Sequence, residues 1–147
     1  MGKDEVARLR STIGRLARRL RKVQAATGLT PTQTSVLFAV HRSGPYRLSA
    51  LAEQEGLNPT LLSRVVARLV EQGLLGRAAD AADRRAAVVR TTDAGRRLCE
   101  RMRRERNDAL ARSVARLPAA DRQVLATALP VLESLAELLQ DAGRVDA

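Results

Sequence analysis

The run NPTLLSRVVARLVEQGLLGR, Asn58 to Arg77, decides the fold. Asn58 has the side chain of a helix N-cap, and Pro59 stands at the first helical position, where its missing N–H costs nothing because that donor has no intrahelical partner. Leu61, Leu62, Val65, Val66, Leu69 and Val70 then form a broad apolar stripe up to a stop at Gly73. Just upstream, Ser49 can cap a shorter helix in which Leu51 and Ala52 face inward until Gly56. Only Gly56 and Leu57 separate the two helices, with Asn58 as the cap of the second, and that is a helix-turn-helix layout. Downstream the period becomes extended. Leu74 to Arg77, a polar tip from Ala78 to Arg85, and Ala87 to Arg90 predict a two-stranded hairpin whose tip carries no Gly or Pro to name its turn.

Working outward, Thr30, Pro31, Thr32 and Gln33 form a capping box that opens a helix over about 31–42, with Val36, Leu37 and Val40 inward and Ser43, Gly44 and Pro45 closing it. Tyr46, Arg47 and Leu48 leave room for one short strand. At the start of the chain, Val6, Leu9, Ile13, Leu16, Leu20 and Val23 follow at alternating steps of three and four, the seam of a helix that packs along another helix, and Gly28 ends it. Thr92 can cap a long helix from Asp93 to Leu117. Pro118 and Asp121 open a last one with Val124, Leu125, Leu129, Leu132, Leu135, Leu138 and Leu139 on a wide apolar face, and Pro130 inside it predicts a bend.

Composition agrees with helices. Aromatic residues make up 1% of the 147, so a core must be built from Leu, Val and Ala, which disfavours a β-sandwich or barrel. Lys and Arg outnumber Asp and Glu by 26 to 16, and the resulting charge of +10 calls for a polyanionic partner. Residues 1–29 carry a net +6 and residues 118–147 a net −3. One Cys, Cys99, cannot form an internal disulfide, and one Cys with one His cannot build a structural zinc site. The longest apolar run, Val36 to Val40, is too short for a membrane span or a signal peptide, so a cytoplasmic protein without a membrane partner is expected.

Taken with the string DAADRRAAVVRTTDAGRRL from Asp80 to Leu98, the 58–77 run resembles the recognition helix and wing of the MarR family of bacterial winged helix-turn-helix regulators, including a D-x-R element at Asp83, Arg84 and Arg85. One departure is Thr91, where the family has an apolar residue. The expected class is mainly α with a small β-wing: a winged helix-turn-helix DNA-binding lobe plus an all-helical dimerisation lobe. In this scheme residues 1–29 are an N-terminal dimerisation helix, 30–92 the DNA-binding region, and 93–147 the C-terminal helices of the dimerisation region. Physical reasoning runs beside the resemblance. The N-terminal half of the second helix of such a motif enters the major groove, which singles out Asn58, Pro59, Thr60, Ser63, Arg64 and Arg68, with Arg64 able to grip a guanine edge. The bland alternative is a set of solvated helix charges. In the wing, the resemblance gives Arg85 minor-groove insertion and Asp83 a bracing role; a surface ion pair is the plain alternative.

Doubling by symmetry is usual for such sites, so a homodimer on double-stranded DNA is expected, joined through Leu9, Ile13, Leu16, Leu20, Leu125, Leu129, Leu132, Leu135 and Leu139. The expected function is a sequence-specific transcription regulator, a repressor on a palindromic operator. The competing reading is a non-specific architectural nucleic-acid binder using the Arg-rich stretches 8–22 and 96–116. The resemblance also implies a small amphipathic or phenolic effector, and Phe38 and His41, three apart on one helix, could line its crevice or simply pack. Cys99 reads as an inert core residue against a peroxide-sensing role. No cofactor, metal site or catalytic residue is expected, because there is no phosphate loop, no His/Cys/carboxylate cluster, and a single His serves no triad.

Overall fold

A computed structural model describes residues 1–23, 27–79 and 87–145. The elements are α1 (Lys3–Lys22), α2 (Pro31–Ser43), β1 (Tyr46–Arg47), α3 (Leu48–Glu55), α4 (Pro59–Glu71), β2 (Leu75–Ala79), β3 (Ala87–Thr91), α5 (Asp93–Ala115) and α6 (Ala119–Val145). The chain falls into two compact units, Met1–Asn107 and Asp108–Ala147.

In the first unit, local chemistry sets the helix boundaries. Thr30 Oγ1 accepts from the Gln33 N–H at 3.2 Å while Gln33 Oε1 accepts from the Thr30 N–H at 2.8 Å, the reciprocal box that starts α2. α3 starts two residues earlier than the Ser49 cap predicts. Tyr46 and Arg47 are held extended by pairing with Val89 and Val88, and the helix begins at the next residue, with Arg47 in the N-cap position. Gly56 ends α3 at a φ of 60°, a left-handed conformation that glycine adopts without strain, and Leu57 N–H reaches back to Ala52 O at 2.9 Å. The three strands form an antiparallel sheet in the order β1-β3-β2, with Leu75 opposite Thr91 and Ala79 opposite Ala87.

Val36, Leu37 and Val40 of α2, Leu51 of α3, Leu62, Val66 and Leu69 of α4, Leu75, Val89 and Cys99 make one core. α5 closes over it at a point where no side chain fits: a Cβ on Gly95 would stand 2.1 Å from Leu74 O. Thr92 ties the joint, its hydroxyl donating to Gly73 O at 2.6 Å and accepting from the Gly95 N–H at 3.0 Å, so it does cap α5. α5 ends at Ala115, two residues before the predicted stop, and α6 runs unbroken past Pro130. α1 buries no residue, and neither does α6 among its described side chains.

Candidate nucleic-acid interface

α4 carries two faces. Leu62, Val65, Val66 and Leu69 are buried, while Asn58, Pro59, Thr60, Ser63, Arg64 and Arg68 all reach solvent. Asn58 Oδ1 accepts from the Thr60 N–H at 2.8 Å, which fixes where the helix begins. Leu61 departs from the predicted stripe. It is 46% exposed, because at 100° per residue it falls outside the arc shared by the four buried side chains and comes beside Arg64 and Arg68. Arg68 is tied to Glu71 at 2.9 Å, whereas Arg64 has no acidic partner among the described residues. The helix thus offers an uncommitted cation, a hydroxyl pair and one apolar side chain along its exposed N-terminal half. The β2–β3 ladder that supports the wing is in place, but Asp83, Arg84 and Arg85 lie outside the described residues.

Within the same unit α1, α2 and α5 wall a cavity of about 620 Å³. Phe38 and Leu29 supply apolar surface, and the rim is basic. Arg106 lies over the Phe38 ring, its guanidinium carbon 4.9 Å from the centroid, a cation–π contact. Burial and the neighbouring Arg21 lower the Arg106 pKa from its ordinary value, and its Nε is buried without a hydrogen-bond partner. His41 is half-buried in the last turn of α2 and is not among the lining residues. Sequence reasoning missed Arg106 because 68 positions separate it from Phe38 and no local pattern joins them.

A family model described as MarR family matches residues 29–87. An uncharacterized HTH-type transcriptional regulator of Mycobacterium bovis is 30% identical over 138 residues, covering 91% of this chain and 96% of the relative. The chain belongs to the MarR family. A Thermotoga maritima transcriptional regulator of known crystal structure is 25% identical with a TM-score of 0.81, over 95% of this chain and 99% of that one. A Pseudomonas aeruginosa structure is 32% identical with a TM-score of 0.80, over 92% and 98%. This MarR-family protein is accordingly a DNA-binding transcriptional regulator built on a winged helix-turn-helix.

The remaining predicted residues of this MarR-family chain sit as follows. On α1, Ile13 and Leu16 are exposed and Leu9 and Leu20 half-buried. On α6, Leu125, Leu129, Leu132 and Leu139 are exposed and Leu135 half-buried. Cys99 is buried in the core, and burial, reinforced by Glu100, pushes its thiol up to about 11, so it is a thiol and not a thiolate at neutral pH. No helix among the described residues is long and apolar enough to cross a membrane.

Proposed function

We propose that the protein is a homodimeric repressor that reads a palindromic operator. The observation that carries this is the exposed N-terminal half of α4, with Arg64 free beside Thr60, Ser63 and Leu61 on a helix whose other face is locked in the core. Such a helix fits the major groove, and Arg64 is the side chain for bidentate contact with a guanine. By the family resemblance, Arg85 enters the adjacent minor groove and Asp83 has a bracing role. The uncovered apolar residues of α1 and α6 pair with those of a second copy, placing two α4 helices about one helical turn of DNA (~34–36 Å) apart. A small amphipathic molecule entering the Phe38 cavity releases the DNA. Exposed arginines along α1 and α5 favour the second reading, a binder that follows phosphates alone.

Fluorescence anisotropy separates the two. On a palindrome recovered by selection from random duplexes, Arg64→Ala is expected to lose roughly 10- to 100-fold in affinity, the worth of about 1–3 kcal/mol of base readout, while binding to a scrambled duplex changes little. Equal affinity for both duplexes, with a steep salt dependence, establishes the architectural reading instead. Arg85→Ala should weaken binding more on A·T-rich flanks than on G·C-rich ones.

A further inference from the structure

Between the end of α1 at Lys22 and the start of α5 at Asp93, the leucines and aromatic residues among the described side chains are buried or half-buried, with the exception of Leu61. A single exposed leucine is ordinary on a protein surface, and exposure alone assigns it nothing. Its position does. Leu61, Arg64 and Arg68 follow at steps of three and four, so they stand in one row along the open side of α4. With a rise of about 1.5 Å per residue, Leu61 sits about 4.5 Å nearer the N-terminus of the helix than Arg64. Thr60 and Ser63 flank it, both exposed. The backbone that carries Leu61 is also held firmly. Asn58 accepts from the Thr60 N–H through its side chain and from the Leu62 N–H through its carbonyl at 2.9 Å, and the next side chain, Leu62, is locked in the core. A rigid turn therefore presents an apolar group where the helix offers its hydroxyls and its free cation.

We propose that Leu61 is a specificity-determining residue that reads the 5-methyl group of a thymine lying within about two base pairs of the guanine held by Arg64. This deepens the operator-binding reading above and rests on it. In the major groove the base edges display donors and acceptors, and the thymine methyl is the one apolar group among them. A leucine has nothing to exchange with a donor or an acceptor. Set against an amino group or a ring nitrogen, it strips water from a polar atom and returns no hydrogen bond, which is a penalty. Set against the methyl, it removes apolar surface from water on both partners, which is a gain. Attraction to thymine and rejection of the other bases thus come from the same side chain. Successive base pairs are about 3.4 Å apart, so a group about 4.5 Å along the helix from Arg64 meets the neighbouring pair or the one beyond it. A helix that only followed phosphates would have no use for Leu61, since those contacts need donors.

The test uses the full chain and a palindromic duplex recovered by selection. Each thymine near the selected guanine is replaced in turn, in both half-sites, by deoxyuridine, which differs only in lacking the methyl. At one position the wild type is expected to lose about fourfold in affinity per half-site, or about 15-fold for the symmetric pair, the worth of one buried methyl on each side. Leu61→Ala should bind the thymine duplex more weakly by at least as much and be indifferent to the uracil replacement, so that the two losses do not add. Leu61→Met keeps an apolar tip and should keep most of the sensitivity to the methyl. Both replacements are good helix formers at an exposed position, and the urea midpoint should stay at the wild-type value. Arg64→Ala should lose affinity and still discriminate thymine from uracil. The proposal is overturned if no thymine methyl matters to the wild type, or if Leu61→Ala discriminates as the wild type does. Either result leaves the operator reading standing where Arg64→Ala still loses affinity for the selected duplex alone. Selection that recovers no preferred duplex defeats the operator reading, and the methyl reading falls with it.

Discussion

α4 and α6 are both amphipathic helices, and they meet opposite fates. The apolar side of α4 is closed over within its own unit, with Leu62, Val66 and Leu69 fully buried. Along α6, Val124, Leu129, Val131, Leu138 and Leu139 stand open to solvent on an arc that nothing in its own unit covers. The polar sides differ as well: α4 presents hydroxyls and arginines, whereas residues 118–147 are net acidic. Periodicity therefore tells that a helix has an apolar face and does not tell what covers it. In the proposed homodimer this uncovered face packs on a second copy, and residues 1–29 are net basic where residues 118–147 are net acidic.

The sharpest break between the two regions is how stability depends on protein concentration. Leu69→Ala removes a fully buried side chain from the core and should cost about 3 kcal/mol, with a urea midpoint that shifts equally at every concentration. Leu129→Asp, on a side chain 54% exposed, should leave the first unit intact and move the protein toward monomer in sedimentation, with a lowered midpoint that no longer depends on protein concentration as that of a dimer does. A variant that sediments like the wild type and keeps the same concentration dependence would place Leu129 outside any interface between copies.

Much of the first region was readable because its signals are local. The capping box of α2, the Asn58 cap, Pro59 and the stops at Gly56 and Gly73 act over four residues or fewer and sit where the pattern places them, whereas α1 ends at Lys22, short of the expected stop at Gly28. The misses are tertiary. Leu61 is apolar and falls next to the buried stripe in the sequence pattern, but exposure depends on what lies across from it. Ser49 is a good cap residue that lost its place because strand pairing at Arg47 settles where α3 begins. The cavity joins α1, α2 and α5, so no window of sequence contains it.

Cys99 gives the core a pH signature. The folded thiol titrates near 11 and the unfolded one near 9.0, so between these values the unfolded chain binds fewer protons and stability falls as pH rises. The loss should be of the order of 2 kcal/mol across pH 9 to 11, and Cys99→Ala should flatten that part of the profile. Asn58→Ala tests the start of α4 more gently. It should cost about 1 kcal/mol, the worth of one N-cap, and weaken operator binding by more than scrambled binding because the helix N-terminus frays where bases are read.

The smallest effect is the most discriminating for the exposed side of α4. Arg68 and Glu71 form an ion pair with both side chains more than half exposed, and such a pair on a helix surface is worth about 0–0.5 kcal/mol. Glu71→Gln should therefore leave stability within about 0.5 kcal/mol. It should raise DNA affinity about two- to threefold with a steeper salt slope, since it removes a negative charge and releases Arg68 for a phosphate. A gain in stability-neutral binding of this kind requires α4 to face the duplex. If affinity stays flat, Arg68 is a solvated helix charge and readout is confined to the first two turns, from Thr60 to Arg64.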